Sequence, residues 1–251
     1  MIGHLRSILF DHPALGRITS IAVPPVPEPL RRALPTNRNV YEISRDLGAL
    51  LADLVMNEGR RRVLEFGAGA SSRLHAAALA EVGGGMLTAV ERDPAWCAQV
   101  WAEVEQFRWN GVDARMIPAA VRLRFASWGI GYAQPDALPE VARRAPYDLL
   151  LIDAPGGNYG RLGTLPLAAP LLAPGAVVVI DDAGSTPSRW VLASWLRRYP
   201  GLRLTAHDPA YGKRGVAILR WYGGPAHWSA RAWLAGCYHA ASRWRRRRGI
   251  P

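Results

Sequence analysis

The feature that most constrains the fold is a short apolar run that passes directly into a glycine-rich turn. Residues 63–72 read VLEFGAGASS, and a helical segment is expected over 71–82. Two closely spaced glycines let a buried strand turn sharply into a helix, because glycine tolerates backbone angles that other residues avoid. The start of such a helix also offers free N–H groups to a ligand. The segment therefore predicts a turn between a buried strand and a helix, either for binding a ligand or as a purely structural turn of another α/β protein.

The rest of the chain alternates in the same way between apolar runs and helical segments. Strands are expected at 63–66, 86–91, 114–121, 147–153, 176–181, 202–207 and 215–222. Helices are expected at 40–58, at 71–82, from 93 onward and at 187–198. This alternation predicts an α/β fold with a doubly wound, mainly parallel sheet, helices on both faces and an antiparallel edge. Ligands of such sheets bind outside the carboxyl ends of the strands.

Proline content and helical periodicity divide the 251-residue chain into three parts. Residues 1–39 form an N-terminal arm, whose proline-rich stretch at 22–36 predicts an extended conformation. The α/β domain is expected at 40–222. Residues 223–251 combine an amphipathic helix at 226–244 with a basic tail.

Charge is concentrated near the C-terminus. The formal net charge is +11, and a run of arginines occupies 245–248. A basic tail attracts nucleic acid or an anionic membrane, and a helix that combines Trp with Arg is typical of a membrane interface. The alternatives are a helix docked on the protein's own sheet and a solvated tail. A peripheral membrane contact is therefore left open, and no specific nucleic acid is expected.

Cysteine content and hydropathy favour a cytoplasmic location. Cys97 and Cys237 are too few for a disulfide framework. No apolar run approaches the ~20 residues of a membrane-spanning helix. The first residues lack the apolar region of a signal peptide.

Two acids lie at positions from which they could contact a ligand bound at the glycine-rich turn. Glu65 lies two residues before the first glycine, where a carboxylate suits a cationic group and disfavours a pyrophosphate. Glu91 ends the second strand, roughly 25 residues after the turn, where an acid takes both hydroxyls of a ribose. Ser72 replaces the third glycine of a dinucleotide turn. An adenosyl ligand that carries a positive charge therefore fits better than NAD.

Four segments, taken in order, resemble the successive motifs of the class I S-adenosylmethionine-dependent methyltransferases, nearest to the O-methyltransferase-like branch. They read VLEFGAGASS, LTAVERDPAW, YDLLLIDAPGG and GAVVVIDDAG. The resemblance covers residues 40–222. It implies S-adenosylmethionine as the cofactor and the strand order 3-2-1-4-5-7-6, with strand seven antiparallel.

The resemblance also implies which residues hold the cofactor. Those expected at its methionine end are Glu65, Gly67 and Gly69. Ser71 is also expected to bind the cofactor, and the helical pattern predicts it as the N-cap of the helix at 71–82. Glu91 is expected at the ribose, and the segment around Ala119 near the adenine.

Acids at the ends of the fourth and fifth strands are the candidates for catalysis. Asp153 ends strand four, and Asp181 and Asp182 end strand five, so the topology places their carboxylates beside the cofactor cleft. Methyl transfer needs an aligned, deprotonated acceptor, and Asp153 and Asp182 are predicted to act on it. In the catechol-type O-methyltransferases, acids at matching places hold a metal ion. Here Asp182 replaces an asparagine ligand, and a divalent metal is left open.

Residues after the strand-four acid are expected to face the acceptor. These are Asn158, Tyr159 and Arg161, with Arg161 as a partner for an anionic substrate group. The stretch at 122–146 is interpreted either as a lid over the adenine or as ordinary core.

The sequence thus predicts an enzyme that transfers a methyl group from S-adenosylmethionine to a hydroxyl-bearing small molecule or glycan. A nicotinamide-dependent oxidoreductase is disfavoured by Ser72 and Glu65. A non-catalytic basic adaptor at an RNA or membrane surface is the remaining alternative.

Overall fold

The computed structural model describes residues 12–36, 42–156 and 159–248, and its centre is a seven-stranded sheet. The strands are β1 Arg62–Phe66, β2 Gly85–Glu91, β3 Val112–Pro118, β4 Arg122–Ala126, β5 Gly129–Ala133, β6 Tyr147–Ile152, β7 Leu172–Asp181, β8 Leu202–Asp208 and β9 Val216–Trp221. The α-helices are α1 Arg45–Met56, α2 Ala70–Glu81, α3 Pro94–Val104, α4 Leu138–Arg143, α5 Thr164–Ala168, α6 Thr186–Arg198 and α7 Ala230–Arg247.

The order of strands in the large sheet is β3-β2-β1-β6-β7-β9-β8. The pairs from β3 to β7 are parallel, and β9 runs antiparallel to both β7 and β8. When only the strands of this sheet are counted, the order is 3-2-1-4-5-7-6, so the predicted fold is confirmed. The separate antiparallel ribbon of β4 and β5 was not predicted from the sequence.

The register of the parallel strands places their carboxyl ends at one edge of the sheet. Phe66 of β1 is level with Val90 of β2 and with Ile152 of β6. Ile152 is in turn level with Ile180 of β7. The residues that follow these positions therefore meet around a single cleft.

Both faces of the sheet are buried, which explains the near-continuous apolar runs of its central strands. Successive residues point to opposite faces. Leu149 and Leu151 of β6 belong to one apolar cluster, together with residues of α1, α2 and α3. Leu150 and Ile152 belong to the other, together with residues of α6. This packing holds the carboxyl ends of the strands on a rigid support.

The N-terminal arm lies against the domain. Leu30 and Leu34 are buried in the cluster that contains α1, and Leu15 is buried on the opposite face. The arm is therefore anchored by apolar contacts on both faces of the sheet.

Helix α7 docks on the protein through a small-residue face. It packs against β5 and α6, and a Cβ added at Gly129 of β5 would lie 3.1 Å from the carbonyl oxygen of Trp233. Ala232 and Ala235 are buried, whereas Leu234 and Trp244 are exposed. Contact of this exposed side with a membrane stays a prediction. Among the described helices, none has the length and apolar character needed to cross a membrane.

Candidate functional site

The two glycines of the turn have different surroundings. Gly67 has a φ of +100°, and a Cβ there would lie 3.1 Å from the Cβ of Ala154 in the loop after β6. A Cβ added at Gly69 would meet no heavy atom of the described residues within 4 Å. Gly67 therefore brings two strand ends together, while the open side of the turn is at Gly69.

Glu65 is completely buried behind the turn. Its carboxylate accepts a hydrogen bond from the Ser71 hydroxyl and lies 3.2 Å from Nδ1 of His75. The predicted N-cap role of Ser71 is wrong: α2 begins one residue earlier with Gly69 as N-cap, and the Ser72 hydroxyl accepts from the Gly69 N–H at 3.0 Å. Ser71 is thereby free to face Glu65. Nε2 of the buried His75 has no partner among the described residues.

Glu91 is held almost entirely by the backbone. One carboxylate oxygen accepts from the N–H groups of Arg92 and Asp93, at 2.8 and 3.0 Å. The other accepts from the N–H of Ala68 in the glycine turn, at 3.1 Å. The indole N–H of Trp96 donates to the Ala68 carbonyl at 2.7 Å, so Trp96 contacts the same part of the glycine turn as Glu91. This contact was not predicted from the sequence. A carboxylate oxygen accepts more than one hydrogen bond, so Glu91 retains capacity for ribose hydroxyls.

Ala119 follows β3 and is buried beside Glu91. Its N–H donates to the Glu91 carbonyl at 2.7 Å, and its carbonyl accepts from the side-chain amide of Gln134 at 3.0 Å. The Oε1 atom of Gln134 is buried and has no partner among the described residues. Buried acceptors are normally satisfied, so a donor such as an adenine amino group fits this atom. No sequence signal pointed to Gln134, because it lies in the stretch left open between lid and core.

The aromatic residues of the stretch at 122–146 differ in burial, and a role of the stretch as a lid over the adenine stays a prediction. Trp128 and Tyr132 are buried, whereas Phe125 is exposed. The Tyr132 ring meets the ring of Tyr159 edge-on, with centroids 5.2 Å apart. The guanidinium of Arg92 lies 5.5 Å from the Tyr159 centroid, so Tyr159 connects the two sides of the cleft. Asn158 lies outside the described residues.

Asp153 and Asp182 are brought together by Arg161. The same Nη2 atom of Arg161 lies 2.8 Å from Oδ1 of Asp153 and 2.9 Å from Oδ2 of Asp182. Arg161 also donates to the carbonyl of Asp153 through Nε, at 3.0 Å. Both carboxylates remain 24% exposed, while the arginine is buried. The second oxygen of Asp182 lies 3.6 Å from Arg214.

Burial and neighbouring charges raise the pKa values of two acids in this group. Burial raises the pKa of Asp153, although Arg161 opposes the shift. Burial and the charges of Asp153 and Asp182 raise the pKa of Asp181 to about 7. Asp182 adopts a left-handed φ of 56°, and its backbone N–H donates to the carboxylate of Asp181 at 2.8 Å. Such backbone angles are uncommon outside glycine, although Asp tolerates them better than most residues.

The residues present do not fit a divalent metal of the catechol type. The positive charge between Asp153 and Asp182 is the guanidinium of Arg161, and their facing oxygens already accept from it. Within the described parts of the chain, no group of three or more His, Cys, Asp or Glu side chains is arranged to hold a metal ion.

Comparison with known proteins agrees with this geometry. Residues 64–183 match a family model described as a methyltransferase domain. Among curated proteins, no significant match to the chain was found.

Several solved structures share the fold. An O-methyltransferase from Bacillus cereus in complex with SAH is 18% identical, with 78% of this chain and 92% of that chain covered and a TM-score of 0.54. A cofactor-bound protein from MTB is 22% identical, with 89% and 96% covered and a TM-score of 0.54. A methyltransferase from Geobacter sulfurreducens is 17% identical, with 79% and 91% covered and a TM-score of 0.52.

The family match spans β1 to the end of β7, and so includes the glycine turn, Glu91 and the acids around Arg161. The shared fold extends the similarity over most of the chain. Residues 64–183 therefore match a methyltransferase domain, and the chain shares its fold with an O-methyltransferase and another methyltransferase of known structure.

Proposed function

We propose that the chain is a methyltransferase that uses S-adenosylmethionine, that its acceptor is a hydroxyl group of a small molecule or glycan, and that Asp153 and Asp182 act on this acceptor. The observation that carries this proposal is the arrangement of the two acids. They follow β6 and β7, share one guanidinium, and remain partly exposed at the edge of the sheet where the glycine turn lies. A hydroxyl needs such a base, because its proton must leave as the new bond to carbon forms.

The cofactor would occupy the side of the cleft formed by β1, β2 and β3. S-adenosylmethionine supplies an electrophilic methyl group when it is bound. Glu91 would accept the ribose hydroxyls, and the open side of Gly69 would admit the methionine end close to the backbone. The unpartnered Oε1 of Gln134, beside Ala119, would accept from the adenine amino group. Glu65 and Ser71, which are hydrogen-bonded to each other behind the turn, would help to bind the methionine end of the cofactor.

On the acceptor side, Asp182 is the better placed of the two acids to take the proton. It lines a cavity of about 300 Å³, together with Arg161 and Arg214. Asp153 is held by Arg161 through both its carboxylate and its carbonyl, so it fixes the guanidinium in place. A fixed guanidinium stabilises the negative charge that develops on the acceptor oxygen. Asp182 and Arg161 together would therefore supply a base and a cation without a metal ion.

The test is turnover of Asp182→Asn and Asp153→Asn in a screen of hydroxylated compounds with S-adenosylmethionine. Loss of a positioned general base typically lowers turnover by ~10²-fold or more. We expect a loss of that size in Asp182→Asn, with little change in cofactor affinity. The exposed Asp136→Asn serves as the control.

Two outcomes would count against these roles. Full turnover in both variants would leave the acids as structural partners of Arg161. Loss of activity with EDTA that Mg²⁺ restores would contradict the assignment of Arg161 as the resident cation, since such ions bind carboxylate oxygens.

A further inference from the structure

The cavity beside Asp182 is enclosed on its far side by α7. Its volume is about 300 Å³, and its walls include the loop after β6, the end of β7, the start of α6 and the C-terminal half of α7. Helix α7 lies outside the segment that matches the methyltransferase domain, which ends at residue 183. A part of the chain that the family match does not include therefore closes the space next to the proposed base.

The charge on the cavity wall is strongly positive. Among the described residues, four arginines line it against a single acid: Arg161, Arg214, Arg243 and Arg246, with Asp182. Arg161 and Arg214 both lie near Asp182. Asp182 therefore already has arginine partners on one side of the cavity. Arg243 and Arg246 of α7 add positive charge on the opposite side.

Arg243 of α7 is partly buried, and it lies close enough to the exposed Arg246 for their charges to repel each other. Burial lowers the pKa of Arg243, and the charges of Arg246 and Arg161 lower it further. Burial and the charges of Arg243 and Arg246 likewise lower the pKa of His239 to about 3. His239 is therefore neutral at physiological pH, and like charges that converge in this way favour an anion between them.

The geometry around His239 fixes Arg243 at the cavity. Nε2 of the buried His239 accepts from Nε of Arg243 at 3.5 Å. A Cβ at Gly160 would overlap the His239 ring, so the loop after β6 lies directly against the imidazole. His239 is thus a positioning residue that ties Arg243 to the same loop that carries Arg161.

The first turn of α6 adds to the positive electrostatic potential in the cavity. Ser185 caps the helix by accepting from the Ser188 N–H at 3.3 Å, and both serines line the cavity. The N-terminal end of a helix carries a partial positive charge. Its contribution has the same sign as that of the four arginines.

We propose that this cavity is an anion subsite for the acceptor, and that the acceptor carries a phosphate group bound by Arg243 and Arg246 while its hydroxyl lies at Asp182. The proposal rests on the proposed function. A phosphate is favoured over a single carboxylate because several guanidiniums converge, and the planar arginine fork matches the geometry of phosphate oxygens.

The test is calorimetric titration of inorganic phosphate, and separately of acetate, into the full chain saturated with S-adenosylhomocysteine. We expect saturable phosphate binding that is tighter than acetate binding. Arg243→Gln should weaken phosphate binding by ~10-fold or more, the effect expected for loss of a charge-assisted hydrogen bond. Arg246→Gln should weaken it by a smaller factor.

The matched control is Arg245→Gln, which removes the same charge from the same helix at a residue that does not line the cavity. An equal loss in this control would overturn the proposal, because the binding would then reflect diffuse charge. Absence of saturable phosphate binding by the unmodified chain would overturn it as well. Acetate binding as tight as phosphate binding would overturn the preference for phosphate.

S-adenosylhomocysteine affinity, measured for each protein, separates this inference from the proposed function. Unchanged cofactor affinity together with absent phosphate binding refutes the subsite alone. Absence of cofactor binding in the unmodified chain refutes the enzyme function itself, whatever phosphate does. Circular dichroism of each variant confirms that the substitution has left the fold intact.

Discussion

The two sides of the cleft hold their carboxylates by different means. On the cofactor side, Glu91 is held by three backbone N–H groups from the glycine turn and the start of α3. On the acceptor side, Asp153 and Asp182 are held by the side chain of Arg161. Backbone donors are set by the path of the chain, whereas an ion pair depends on one side chain. The path of the backbone therefore fixes Glu91 on the proposed cofactor side, whereas one ion-paired side chain holds the two acids on the proposed acceptor side.

The largest expected effect follows from removing Arg161. Arg161→Met leaves two partly buried acids without their shared cation, and breaking a pair of this kind typically costs about 3 kcal/mol in the free energy of unfolding. Urea denaturation at neutral pH measures it. Arg122→Met, which breaks an exposed pair with Asp136, is the control and should cost less than about 1 kcal/mol. Equal, small effects would show that Arg161 is not needed to hold the acids.

The two glycines of the turn, Gly67 and Gly69, should respond differently to substitution by alanine. Gly67→Ala introduces a side chain at a positive φ and against Ala154, so it should lower the free energy of unfolding by roughly 1–2 kcal/mol. Gly69→Ala meets open space and should leave stability nearly unchanged. If the methionine end of the cofactor lies at Gly69, that variant should still bind S-adenosylmethionine more weakly. Calorimetry and urea denaturation of the pair measure both quantities, and a Gly69→Ala variant with unaltered affinity would remove Gly69 from the site.

The contrast between the two sides also explains what the sequence could predict. The strand order, the turn at Gly67 and the position of Glu91 follow from local spacing and apolar periodicity, and the fold agrees with them. The Asp93 cap of α3 is equally local, with its carboxylate accepting from Ala95 and Trp96.

The acceptor side could be predicted only in part. Topology alone predicts that Asp153 and Asp182 converge, but the placement of Arg161 between them depends on how its loop folds back. The contact of His239 with Gly160 joins residues far apart in the sequence, which no local pattern encodes. The ribbon of β4 and β5 was missed because Arg122 to Ala126 is largely exposed and lacks a buried alternating face.

A smaller effect concerns the pH dependence of stability. Asp181 has its pKa raised to about 7 in the folded chain, so its protonated form contributes stability that is complete below the unfolded pKa near 4 and is lost as the pH rises to 7. Asp181→Asn imitates the protonated acid at every pH. Relative to the unmodified chain, its free energy of unfolding should therefore rise between pH 5 and pH 6, by about 1 kcal/mol. Urea denaturation at the two pH values checks this. A constant difference would mean that Asp181 titrates in the usual range.

Titration of S-adenosylmethionine into the unmodified chain and into Glu91→Ala tests whether the chain binds this cofactor with its ribose at Glu91. We expect a dissociation constant in the micromolar range, which corresponds to a binding free energy on the order of −8 kcal/mol. Glu91→Ala should weaken binding by about 1.5–3 kcal/mol through loss of charge-assisted hydrogen bonds to the ribose. The exposed Glu81→Ala on α2 should bind like the unmodified chain. Binding of NADH in place of S-adenosylmethionine, or equal affinities in Glu91→Ala and the unmodified chain, would contradict the account.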